Sequence, residues 1–136
     1  MAAEIDEGGR SILEAPTYVT VSTLRKDGSV HSVVTWVHPA DGGRVALNTA
    51  EGRAWRKNVA RDPRVTITAV DPENPYHWLS VRGRVVEDTH EGANEHIDML
   101  AKKYMGVDEY PYHSADEPRV KLIVEPDHVT HFTPPG

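Results

Sequence analysis

Thr17–Arg25 and Val30–His38 are two alternating, β-branched runs separated by Lys26-Asp27-Gly28-Ser29, and a β-hairpin is the fold that satisfies all three pieces at once. The turn Pro39–Gly43 and a third short run, Arg44–Asn48, extend this into an expected antiparallel meander. Alternation then stops. Gly52–Arg61 places Trp55 and Val59 four residues apart, with Arg53, Arg56 and Lys57 on the other side of the wheel, so it reads as a short amphipathic helix with a basic face. Thr49 is the expected N-cap, and Asp62-Pro63 stops the helix because a residue before proline avoids the α region.

The second half repeats the theme. Arg64–Val70 is a strand, 71–75 a loop with two prolines, and Tyr76–Thr89 a long strand in which Gly83 marks a bulge or a close backbone approach. Glu91–Tyr104 has helical spacing and ends near Gly106. Residues 107–118 read as an irregular, solvated acidic loop, followed by strands Arg119–Val124 and His128–Phe132 with Pro126-Asp127 between them. The expected fold is mainly β with two helices, a small antiparallel barrel carrying the helices outside it.

Composition sets the limits on function. At 136 residues the chain is the size of one domain, taken here as 1–136, and can hold a real core. Cysteine is absent, which removes disulfides, thiol nucleophiles and cysteine metal sites together. Lys+Arg number 15 against 21 Asp+Glu, a net charge of -6, which disfavours a nucleic-acid or anionic-membrane partner. No apolar run approaches the roughly 18 residues of a membrane span. The acidic start, Met1 through Glu7, lacks the features of a signal peptide, so a cytoplasmic location is expected.

Asn48–Asn58 carries the chemistry. A strand end delivers a polar turn to a helix N-terminus, where free N–H groups favour an anion, and Arg53, Arg56 and Lys57 add fixed positive charge. That is the pattern of a phosphate site; a solvated helix face paired with carboxylates has the same charges. The eight histidines show no metal-ligand spacing, so no metal is expected. No nucleotide-loop or nucleophile-elbow motif is present, and nothing nominates a catalytic residue.

The hairpin Thr23–Val37, the segment Asn48–Arg53 with Arg56–Val65, and the strand Arg82–Val85 together resemble the pyridoxamine 5'-phosphate oxidase-like split β-barrel proteins. The likeness covers roughly residues 10 to 133, and Lys57–Val65 is its most specific part. Within that superfamily the chain is similar to the flavin/deazaflavin oxidoreductases of subgroup B. The resemblance implies a homodimer that binds coenzyme F420, or FMN in relatives, in a groove between subunits. It further implies hydride transfer from reduced F420 to a conjugated acceptor of quinone, enone or tetrapyrrole type. An FMN-dependent oxidase or reductase, or a non-catalytic flavin, deazaflavin or haem carrier, are the alternatives.

Carried over by position, Thr49 and Ala50 would approach the cofactor through the turn, and Arg53, Lys57 and Asn58, with Arg56 beside them, would hold its anionic part. His31, Ser32 and Val33 would line the ring from the hairpin, and Tyr76 or Trp78 would come from the second subunit. One departure is Trp55, where some deazaflavin-binding relatives place a lysine.

Overall fold

A computed structural model describes residues 3–134. Seven strands form one antiparallel sheet: β1 (Val19–Leu24), β2 (Val30–Thr35), β3 (His38–Ala40), β4 (Arg44–Ala50), β5 (Arg64–Val70), β6 (Trp78–Thr89) and β7 (Arg119–Phe132). Their order is β2-β1-β5-β6-β7-β4-β3. Among the described residues three α-helices accompany them, α1 (Glu7–Glu14), α2 (Ala54–Arg61) and α3 (Ala93–Met105). The expected mainly β barrel is present, with three helices in place of two.

The first hairpin forms as expected, pairing Val19 with Thr35 through Leu24 with Val30. Gly28 takes φ 87° at its tip, where the Asp27 carboxylate accepts from the Ser29 N–H at 2.9 Å. The expected meander does not continue beyond it. The run Val30–His38 breaks after Thr35, and β3 pairs only with β4, at the opposite edge of the sheet. Two side chains of α3 explain the break. The Val37 N–H donates to the Tyr104 hydroxyl at 3.0 Å, and the Val37 carbonyl accepts from Lys103 Nζ at 2.8 Å, so both ladder positions of Val37 are taken. Pro39, which has no N–H to give a ladder, then sits on an edge strand. Because β2 and β3 are consecutive in the chain yet occupy opposite edges, the sheet has to curl into a barrel split along that seam.

The two expected strands at the C-terminal end are one, β7, paired with β6 along its length. The register slips between Arg82 and Gly83, opposite Pro126, and a Cβ at Gly83 would meet the Glu125 carbonyl inside hard contact. Glycine therefore lets the proline kink be absorbed as a bulge and not as a strand end. α1 was not foreseen. Asp6 caps it by accepting from the Gly9 N–H at 2.8 Å, and Ile12 and Leu13 are buried against the barrel. Its two glycines hide it from any propensity argument; docking supplies its stability. α2 ends at Arg61 before Asp62-Pro63, and α3 ends at Gly106 with φ 73°, as read. The barrel interior is filled by Val19, Val21, Leu47, Ile67, Val81 and Leu122, all almost fully excluded from solvent. None of the described helices is long and apolar enough to cross a membrane.

Candidate functional site

A cleft of about 570 Å³ opens where β2, the end of β4, the start of α2, α3 and the 107–118 segment meet. β4 supplies its floor through Asn48 and Thr49, each 3% exposed. Thr49 does not cap α2 as expected. Its residue pairs with Val120 inside the β4–β7 ladder, and Arg53 takes the N-cap position without a side-chain cap bond. The first N–H groups of α2 are therefore left at the cleft with the positive end of the helix. The buried Thr49 hydroxyl has no hydrogen-bond partner among the described residues. A buried hydroxyl without a partner is costly, so a polar ligand group in the cleft is what would satisfy it.

His31 and Val33 of β2 line the cleft, and the pleat turns Ser32 to the other face, where its hydroxyl meets that of Ser22 at 2.8 Å. Asn58 is buried beneath; its amide donates to Thr23 Oγ1 at 3.1 Å and faces His31 Nδ1 at 3.4 Å. Donation to His31 Nδ1 would leave the His31 proton on Nε2.

The basic face of α2 divides. Arg53 lines the cleft and pairs with Glu117 at 3.2 Å. Arg56 turns to Asp88 at 3.0 Å and Glu51 at 3.6 Å, so its charge is largely compensated. Lys57 is exposed and makes no ion pair among the described residues. Ala50 is fully buried behind the floor. Tyr76 lies exposed in the 71–77 loop, and Trp78 stacks on Phe132 with centroids 5.8 Å apart; both lie outside the cleft of their own chain.

Sequence reading missed the wall opposite α2. Tyr110 and Tyr112 reach the cleft from the stretch read as a solvated acidic loop, and Trp36 and Tyr18 complete an aromatic lining. Arg119 was also missed. It donates from Nε to Asn48 Oδ1 at 2.9 Å, and its guanidinium lies 5.1 Å from the Tyr110 ring centre. Burial holds its pKa below the usual value. One faint signal existed, since Glu117-Pro-Arg119-Val120 echoes Asp62-Pro-Arg64-Val65 at a strand start. Asn48 also bonds inward, to the Ala93 carbonyl and to His96 Nδ1, each at 3.0 Å. Burial first, and then the cations Lys121 and Arg119 and the neighbouring His38, lower the His96 pKa to about 4.

The family model for pyridoxamine 5'-phosphate oxidase matches residues 5–132. The chain belongs to the pyridoxamine 5'-phosphate oxidase family. The family binds flavins, and its chemistry is that of a flavin-type oxidoreductase. Among solved structures, the chain is similar to an F420 reductase at 30% identity and a TM-score of 0.81, over 93% of this chain and 98% of that one. A conserved hypothetical protein from Mycobacterium tuberculosis matches at 17% identity and TM-score 0.75, over 96% and 86% of the two chains. General Stress Protein 26 from Bacillus anthracis matches at 18% identity and TM-score 0.68, over 95% and 94%. These last two share the fold. No curated protein matches the chain.

Proposed function

We propose that this chain is an oxidoreductase that uses reduced coenzyme F420 to deliver a hydride to a conjugated small-molecule acceptor. The observation that carries the reading is the cleft itself: a helix N-terminus without a side-chain cap stands beside a buried, unpartnered Thr49 hydroxyl and the cation of Arg53. The 30% identity to an F420 reductase over nearly both chains supports F420 as the cofactor. The cofactor, when bound, supplies the hydride.

What the protein supplies is placement. Thr49 would bond a polar edge of the ligand, and Arg53 and the α2 N–H groups would hold its phosphate, with Lys57 adding charge at the rim. His31, with Asn58 against its Nδ1, would present Nε2–H to the ring, and Val33 would pack on it. Ser32 faces Ser22, Ala50 is buried and Arg56 is paired with carboxylates, so none of the three is given a side-chain contact with the ligand. A homodimer is part of the reading, with Tyr76, 70% exposed, or Trp78 of the second subunit closing the groove over the cofactor.

The experiment is a pair of fluorescence titrations, F420 and FMN, followed at Trp36 and Trp55, which both line the cleft. Saturable quenching at micromolar F420, with FMN much weaker and with affinity falling several-fold in Lys57→Ala, is the expected result. Tighter binding of FMN would move the protein to flavin-dependent chemistry, and no response to either would overturn the proposal.

A further inference from the structure

We infer that Arg119 and the aromatic wall beside it form an acceptor subsite, and that the acceptor is a planar conjugated molecule carrying a carboxylate. The inference rests on the oxidoreductase reading for the role of the molecule bound, while the binding itself needs no cofactor.

Charge is the first argument. Arg53 in the same cleft is paired with Glu117, and Arg56 with Asp88 and Glu51. Arg119 is half-buried, lines the cleft and makes no ion pair among the described residues. Glu117, whose charge acts on Arg119, is already paired with Arg53, so a cation drawn partly out of water is left short of counter-charge and favours an anion. Orientation is the second. With Nε bonded to Asn48 and the guanidinium lying over Tyr110, the group is held in one plane, and its terminal nitrogens carry four further N–H donors in a fork that matches a carboxylate.

Shape is the third. Trp36 and Tyr110 meet edge to face at 6.1 Å, and Tyr110 and Tyr112 at 5.5 Å, giving a contiguous aromatic surface beside the cation. Tyr112 is 67% exposed and Tyr18 61%, a large apolar surface to leave in water unless something flat covers it. The α2 end of the cleft keeps the uncapped helix N–H groups and the unpartnered Thr49 hydroxyl for the cofactor's anionic part, so the Arg119 end is assigned to the acceptor.

The test uses purified protein without cofactor and two isosteric probes, 2-naphthoate and 2-naphthamide, with binding read by ligand-observed saturation-transfer NMR. Naphthoate is expected to bind at least tenfold tighter than naphthamide. Arg119→Met should bring the two within about twofold, Arg119→Lys should keep part of the preference, and Tyr110→Leu should weaken both probes alike. Circular dichroism checks that each variant is folded. Equal binding of the probes to the unaltered protein, or a preference that survives Arg119→Met, overturns the inference. A fall in F420 affinity in Arg119→Met larger than the fall for naphthoate would assign the arginine to the cofactor's anionic part and likewise overturn it. F420 binding without naphthoate preference sinks this inference alone; naphthoate preference without F420 binding upholds the subsite and sinks the cofactor reading.

Discussion

The imidazoles of His77 and His131 meet Nε2 to Nε2 at 2.7 Å, and each ring is held from behind by a carboxylate, Asp71 on His77 Nδ1 and Asp6 on His131 Nδ1. This chain of hydrogen bonds ties the cap residue of α1 to the β5–β6 hairpin loop and the end of β7. Three bonds join the four groups and two neutral rings bring two protons, so the chain closes fully with one proton more.

Opening that chain should free α1. His77→Ala removes its centre and is expected to cost roughly 1–2 kcal/mol of stability. Faster amide hydrogen exchange confined to Glu7–Glu14 and its seat on the barrel is the measurement. Unchanged protection in α1 would show that the burial of Ile12 and Leu13 alone holds it.

Gly83 has no tolerance for a methyl group, because its Cβ would run into the Glu125 backbone and not into a movable side chain. Gly83→Ala should destabilise the protein by about 1–3 kcal/mol or more through strain at the β6–β7 bulge. Urea denaturation with an unchanged m-value is the check; a neutral result would mean that the bulge can slide.

His96 gives the fold an acid-sensitive point. Its folded pKa, about 4, lies below the unfolded value near 6.5, so the unfolded chain takes up the proton first. The contribution is complete above pH 6.5 and is lost as pH falls from there toward 4, by an amount on the order of 3 kcal/mol. His96→Gln should flatten the stability profile across that window relative to the unaltered protein. A parallel loss in both would assign the acid sensitivity elsewhere.

Thr49→Val separates stability from binding. The change keeps the shape and removes a buried hydroxyl that has no partner among the described residues, so the free protein should gain about 1 kcal/mol. Cofactor affinity should fall in the same variant. A gain in stability with undiminished affinity would mean that the hydroxyl does not meet the ligand.

Much of this molecule was determined locally. The hairpin around Asp27-Gly28, the end of α2 at Asp62-Pro63 and the stop at Gly106 each follow from the conformational preferences of one or two residues, so neighbours in the chain suffice to predict them. The family was legible by resemblance, in the hairpin Thr23–Val37, in Asn48–Arg53 with Arg56–Val65 and in Arg82–Val85, and its model matches residues 5–132.

What only the tertiary structure decided are the places where distant groups claim a residue. Val37 leaves the strand because Tyr104 and Lys103, 67 and 66 residues away, take its backbone bonds. β7 stays whole because a glycine in β6 faces its proline. The expectation of a solvated 107–118 loop missed that Tyr110 and Tyr112 fold over the cleft, and Arg119 enters the site through Asn48, 71 residues earlier in the sequence. Pairings of this kind depend on long-range closure of the barrel, and no local propensity encodes them.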